Sequence, residues 1–155
     1  MLKKVGKKSS SRTEARVALV ASQYNARYVN AMLREARREL EQGRGVKLEV
    51  VRVPGAYEIP SVVARLAART SNRPEAIICL GVILRGETTH AQHIGEAVSM
   101  ALVQLQVQHA LPIIHEVLLL ENEAQARVRC LGRTHNRGRE AAQSALAMVN
   151  VMRRI

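Results

Sequence analysis

Residues 84–90 combine residue types that bind phosphate with one that transfers protons. They read LRGETTH, in which Gly86 permits a tight turn and two threonines precede a helical pattern. Backbone N–H groups at such a helix start bind anions such as phosphate. His90, with an ordinary pKa of about 6.5, is placed to exchange a proton with a bound phosphate ester. The spacing alone leaves open whether His90 is catalytic or only caps the helix.

Two further segments carry chemically useful side chains where apolar runs end. Tyr24 and Asn25 follow the first run, and the tyrosine ring either stacks on a ligand or covers the sheet edge. PGAYE follows the second run, and its Gly55 permits a close backbone approach. Glu58 is either a carboxylate that accepts hydrogen bonds from a polyol or amine, or an ordinary charge at a helix start.

Four arginines and one histidine lie within residues 127–138. This segment is either a solvated basic loop or a phosphate clamp, since guanidinium groups bind phosphate in a bidentate manner. His90 and His93 have a spacing that metal ligands can adopt on a helix. The chain contains no Asp, however, and no Cys lies near the pair in sequence, so we predict no metal site.

The elements that must position these residues follow from the hydrophobic pattern. Short apolar runs at 16–22, 47–53, 76–83 and 112–120 are typical of strands buried on both faces. Helical spacing predicts helices at 26–42, at 58–69, over a long stretch ending before Pro112, around 122–131, and at 139–153. We therefore predict one α/β domain, residues 16–155, with a four-stranded parallel sheet in a three-layer αβα sandwich. Ligands would bind at the carboxyl ends of the strands.

Composition narrows the function classes. The 155 residues include 24 Lys+Arg and 13 acids, all of them Glu, for a net charge of +11. Without Asp, an Asp-containing triad, an aspartic dyad and an EF-hand are excluded. With no Trp, no Phe and three Tyr, an aromatic platform for nucleic acid is disfavoured. No apolar run reaches the length of about 20 residues that a membrane span needs. Two cysteines make no disulfide framework, and we expect a cytoplasmic protein.

The basic segment 1–15 is expected to be a disordered tail, because it is polar and contains Gly6 and three consecutive serines. It is either a solubilising extension, the interpretation we favour, or an arm that binds RNA or another polyanion.

Three motifs together resemble one known family. RVPGAYEIP, LGVILRGETTH and RCLGRTHNRGREAAQSAL, in this order and spacing, closely resemble the lumazine synthases, and the resemblance covers residues 16–153. It implies a flavodoxin-like fold and a transferase of riboflavin biosynthesis that uses no metal or organic cofactor. The implied reaction condenses 5-amino-6-ribitylaminouracil with 3,4-dihydroxy-2-butanone 4-phosphate through an imine, phosphate elimination and ring closure.

The resemblance also implies roles for individual residues. His90 would transfer protons. The expected phosphate contacts are Gly86, Glu87, Thr88 and Arg129. The expected pyrimidine and ribityl contacts are Tyr24, Asn25, Ala56, Tyr57, Glu58, Val82, Ile83, His115 and Arg137.

Family members assemble as pentamers, some paired as decamers and others closed into sixty-subunit shells. The resemblance implies a homo-oligomer with the third helix at the five-fold contact, a site shared between subunits, and riboflavin synthase as a candidate partner. Several positions depart from the family pattern, among them the following three. His115 replaces an aromatic that covers the pyrimidine from the neighbouring subunit, Glu116 replaces a frequent glycine, and Ala91 replaces an aromatic. We expect an altered pyrimidine affinity and a shifted pH optimum.

These departures motivate an alternative: a non-catalytic pyrimidine- or flavin-binding assembly protein on the same scaffold. An RNA-binding protein that uses the basic tail and the arginine segment is a third hypothesis, and it predicts steeply salt-dependent binding. We rank the enzyme first and expect no nucleic-acid partner.

Overall fold

A parallel sheet of four strands forms the centre of the protein, whose computed structural model describes residues 14–42 and 45–155. The strands are β1 (Arg16–Ser22), β2 (Lys47–Val53), β3 (Ala76–Leu84) and β4 (Ile113–Leu120), in the order β2-β1-β3-β4. All three pairings are parallel. The predicted four-stranded parallel sheet is confirmed, with β1 and β2 at the predicted bounds. Most of the predicted basic tail, residues 1–13, lies outside the described residues.

Helices cover both faces of this sheet. They are α1 (Ala26–Glu41), α2 (Ile59–Ala67), α3 (His90–His109), α4 (Glu123–Ala126) and α5 (Arg137–Arg154). Successive strand residues point to opposite faces. Val17 and Leu19 of β1 therefore join the core beneath α1 and α5, whereas Ala18 and Val20 join the core beneath α2 and α3. This confirms the three-layer, flavodoxin-like sandwich. Within the described ranges, no helix is both long enough and apolar enough to cross a membrane.

The connection from β4 to α5 differs from the single short helix predicted at 122–131. It consists of α4 followed by a π-helical turn, Arg127–Leu131. Helix α5 begins at Arg137, two residues before the predicted start at 139, because Asn136 caps it. The side-chain oxygen of Asn136 accepts hydrogen bonds from the N–H groups of Gly138 (2.9 Å) and Arg139 (3.3 Å).

Helices α1 and α5 approach each other closely at Gly138. A Cβ atom at this position would overlap the carbonyl oxygen of Met32 and lie 2.6 Å from its carbonyl carbon. Only glycine permits this contact between backbones. The contact fixes the start of α5, and with it the position of Arg137.

Candidate active site

Hydrogen bonds join the carboxyl ends of the first three strands into one edge. The N–H of Gln23 donates to the carbonyl of Val53 (2.8 Å), and that of Tyr24 donates to the carbonyl of Pro54 (3.0 Å). Asn25, in the left-handed conformation (φ 56°), donates from its side-chain amide to the carbonyl of Val82 (2.7 Å). The ends of β1, β2 and β3 are therefore held together, as expected for parallel strands.

Gly55 lets an aromatic ring and a carboxylate converge at the end of β2. A Cβ atom there would lie 2.9 Å from Cδ2 of Tyr24 and 3.0 Å from Oε2 of Glu58. The Gly55 N–H donates to that same Glu58 oxygen (2.9 Å). Tyr24 and Tyr57 are 69% and 64% exposed. The candidate site therefore has an exposed tyrosine ring, that of Tyr24, beside the Glu58 carboxylate, and Tyr57 immediately precedes Glu58 in the sequence.

The segment between β3 and α3 forms an open turn at the start of a 20-residue helix. Residues 86–90 are exposed, and no heavy atom lies within 4 Å of a Cβ built on Gly86. The N–H of His90 donates to the hydroxyl of Thr88 (3.3 Å), which orders the turn. The positive end of the helix dipole and the nearby N–H groups favour an anion at this turn.

Arg85 connects this turn to the end of β4. Its N–H donates to the carbonyl of Leu120 (2.8 Å), and its guanidinium donates to Glu121 (2.8 Å) and to the side-chain oxygen of Gln92 (3.4 Å). Such an exposed ion pair contributes only about 0–1 kcal/mol to stability. Its effect is to fix the geometry of the turn relative to the first turn of α3.

His115 packs on the α3 side of the sheet. Its Nε2 lies 2.7 Å from the hydroxyl oxygen of Ser99, and its Nδ1 accepts a hydrogen bond from the N–H of Val117 (3.2 Å). Burial lowers the pKa of His115, and a hydrogen bond with its own backbone opposes that shift. The sequence offered no signal for Ser99, because its partner lies on another element.

Glu116 points to the opposite face, towards α5. Burial raises its pKa to about 7, and the neighbouring Glu140 acts in the same direction, whereas Arg137 and Arg129 act against it. Arg137 also donates to Glu140 (3.2 Å). Arg129 is exposed on the π-helical turn. The two predicted arginines therefore lie close to the same carboxyl group.

Strand register separates His115 from the edge formed by β1, β2 and β3. His115 is paired with Cys79, whereas Leu84, at the end of β3, is paired with Leu120. The five residue steps from His115 to Leu120 span about 16 Å at about 3.3 Å per residue. In addition, no hydrogen bond or ion pair among residues 14–42 and 45–155 joins His115, Arg129 or Arg137 to the turn at His90. Within one chain, the predicted site residues therefore form two separate groups.

No metal site is formed by the part of the chain that the structure describes, in which no group of three or more His, Cys, Asp or Glu side chains could hold an ion. The side chains of His90 and His93, whose spacing metal ligands can adopt, have different surroundings. His93 contacts the hydroxyl of Thr89 (3.2 Å), while the His90 side chain is exposed at the turn.

The fold defines an α/β protein whose candidate ligand site lies at the carboxyl ends of parallel strands. The profile of the 6,7-dimethyl-8-ribityllumazine synthase family matches residues 14–153. A 6,7-dimethyl-8-ribityllumazine synthase of Stenotrophomonas maltophilia is 38% identical over 144 residues, 91% of either chain. One of Xanthomonas euvesicatoria pv. vesicatoria is 38% identical over 143 residues, 90% of this chain and 91% of the relative. The chain belongs to the lumazine synthase family.

Proposed function

We propose that the protein condenses 5-amino-6-ribitylaminouracil with 3,4-dihydroxy-2-butanone 4-phosphate to give 6,7-dimethyl-8-ribityllumazine. The observation that carries this proposal is the convergence, at one sheet edge, of an exposed aromatic ring, a carboxylate and an anion-binding turn with a histidine. These groups match the three chemical parts of the substrates: a planar pyrimidine, a ribityl polyol and a phosphate ester.

The pyrimidine substrate binds across the ends of β1, β2 and β3. The Tyr24 ring stacks on the pyrimidine, beside the backbone of Val82 and Ile83. Glu58 accepts hydrogen bonds from ribityl hydroxyl groups, next to Ala56 and Tyr57. Asn25 donates one amide N–H to the carbonyl of Val82 (2.7 Å), which leaves its second N–H and its side-chain oxygen for the pyrimidine.

The phosphate ester binds at the turn formed by Gly86, Glu87 and Thr88, which brings its carbon chain to His90. The substrate amine attacks the ketone carbon, and loss of water gives the imine. A proton leaves the adjacent carbon, and phosphate departs with the electrons of the C–O bond. The enol that remains takes up a proton at its terminal carbon and becomes a ketone. The second amine attacks this ketone, and loss of another water closes the ring. His90 moves protons in these steps, and positioning of two substrates supplies much of the rate.

A neighbouring subunit completes this site. His115 lies about 16 Å along the sheet from its own chain's edge, so its ring reaches a pyrimidine only across a subunit contact. Arg129 supplies a further phosphate contact, and Arg137 lies near the uracil ring. Exposed apolar side chains on α3 and β4 are suited to such a contact. They are Met100 (60%), Val103 (48%), Val107 (76%) and Leu119 (38%).

The assembly we propose is a pentamer with α3 at the five-fold contact. A decamer and a sixty-subunit shell are larger assemblies of the same unit, and riboflavin synthase is the candidate partner. Mass photometry of the purified protein distinguishes these states, because their masses are multiples of the 17.1 kDa chain.

Product formation tests the proposed activity. The lumazine is followed by absorbance against a protein-free control, because the condensation also proceeds slowly without protein. We expect His90→Ala to lower kcat by about 10- to 100-fold, at or below the usual effect of losing a proton-transfer group. Arg129→Ala should raise the KM of the phosphate ester. His109→Ala, at the far end of α3, and Arg133→Ala are matched controls.

The same assay distinguishes the enzyme from the alternative of a non-catalytic binding protein, which His115 and Glu116 motivate. An assembled protein that binds the pyrimidine but forms lumazine only at the protein-free rate would refute the enzyme and support that alternative.

A further inference from the structure

We propose that Ser99 is a positioning residue that fixes the His115 imidazole as a neutral stacking surface for the pyrimidine. The inference rests on the proposed function, because it assigns the faces of the His115 ring to a neighbouring subunit's substrate. Through His115, Ser99 on α3 contributes to the affinity for the pyrimidine. The contacts of both ring nitrogens support it.

The hydrogen bonds define the protonation state of the His115 ring. A backbone N–H can only donate, so Nδ1, which lies 3.2 Å from the N–H of Val117, is the acceptor. In the neutral ring the proton is then on Nε2, and it is donated to the hydroxyl oxygen of Ser99 at 2.7 Å. Both polar atoms of the ring are thus satisfied within the chain, and only its apolar faces remain for a ligand.

The position of Ser99 is itself fixed by packing. Val98, its neighbour on α3, is 1% exposed, and Leu102 is 2% exposed. Nearby, a Cβ atom on Gly95 would lie 3.5 Å from Cδ2 of Leu119, so α3 lies directly against β4. The hydroxyl therefore acts from a rigid element, which restricts rotation of the His115 ring about its side-chain bonds.

This arrangement explains how an imidazole can serve at a position where the family resemblance implies an aromatic ring. An imidazole whose nitrogens had no partner in the protein would keep water bound at its edge and would rotate to form hydrogen bonds with that water. Bonds to Ser99 and Val117 remove that need. Ser99 thus lowers the cost of ordering the His115 ring when the substrate stacks on it.

Ligand binding in four variants tests the inference. The probe is 5-amino-6-ribitylaminouracil alone, titrated calorimetrically into the assembled protein. We expect Ser99→Ala to raise Kd about 3- to 10-fold, the effect of losing one hydrogen bond that orders a ring. The KM of this substrate should rise in parallel, while kcat stays within about twofold. Ser99→Thr, which keeps the hydroxyl, should restore binding.

The His115→Phe background separates positioning from a general effect on α3. Phenylalanine makes no bond to the hydroxyl, so Ser99→Ala should leave Kd unchanged there. An equal loss of affinity in both backgrounds would overturn the inference, as would an unchanged Kd in the wild-type background.

Hydrogen exchange at C2 of the His115 ring, measured by mass spectrometry, is independent of activity. Ser99→Ala should shorten its half-time, because the ring becomes more mobile and more accessible. An unchanged half-time would refute the role of Ser99. If exchange responds as expected but the wild-type protein neither binds the pyrimidine nor forms lumazine, the proposed function fails instead.

Discussion

Gly55→Ala perturbs the candidate site at the one point where the Tyr24 ring and the Glu58 carboxylate meet. The backbone there is extended (φ −134°, ψ 176°), so alanine adopts it without strain. The added Cβ would lie 2.9 Å from Cδ2 of Tyr24, whereas ordinary contact begins at 3.4 Å. The tyrosine ring must therefore move by 3.4 − 2.9 = 0.5 Å or more.

The side chains that must move are exposed, so we expect Gly55→Ala to weaken substrate binding rather than to destabilise the fold. Tyr24 is 69% exposed and can swing outward. The free energy of unfolding should change by less than about 1 kcal/mol, because alanine also reduces the entropy of the unfolded chain. Stacking by an aromatic pair contributes about 0.5–1.5 kcal/mol. Displacing the ring should therefore raise the KM of the pyrimidine about 2- to 10-fold.

Steady-state kinetics and thermal unfolding of the same preparation measure both effects. The KM of the butanone phosphate is an internal control, because the site that we propose for that substrate is the turn after β3 and not Gly55. An unchanged pyrimidine KM would refute the assignment of Tyr24 as the stacking ring. A fall in Tm as large as that caused by a substitution in the hydrophobic core would refute the claim that the Tyr24 side chain can move without destabilising the fold.

Three further predictions concern α5 and β4. Gly138→Ala forces α5 away from the Met32 carbonyl and should destabilise the protein by about 3 kcal/mol or prevent folding. Thermal unfolding measures this loss of stability. Asn136→Ala removes the cap of α5 and the bond to the Cys130 carbonyl (2.7 Å), so chemical denaturation should show a loss of about 2 kcal/mol. The folded pKa of Glu116 is about 7, above its ordinary 4.5. Stability should fall by up to about 3 kcal/mol as pH rises from 4.5 to 7, and Glu116→Gln should abolish this slope in Tm measured against pH.

The central strands β1 and β3 could be predicted from the sequence because they are buried on both faces and therefore read as nearly continuous apolar runs. The edge strands β2 and β4 are only partly buried, and the apolar residues that remain in them still located β2 at Lys47–Val53. The helix boundaries near α5 were less predictable. The cap at Asn136 is held by a bond to Cys130, six residues earlier, and a π-helical turn leaves no periodic signature in five residues.

Half of the candidate site follows from the rule that parallel strands end at the same edge. That rule places Tyr24, Glu58 and Gly86 near one another without coordinates. The sequence does not reveal contacts between elements. Asn25 reaches the carbonyl of Val82 across 57 positions, and Ser99 reaches His115 across 16. Such pairs depend on how helices pack against the sheet, which hydrophobic periodicity does not determine.

The most direct test of a lumazine-forming site completed by a neighbouring subunit is complementation. His90→Ala and Arg129→Ala subunits are unfolded, mixed in equal amounts and reassembled, and lumazine formation is measured. In randomly mixed rings, about one quarter of the sites would combine an intact His90 with a neighbour's intact Arg129. The butanone phosphate is held well below the KM of the Arg129→Ala variant, so that each variant alone is slow, and we predict about a quarter of wild-type activity from the mixture. Activity no higher than the average of the two variants would contradict the shared site.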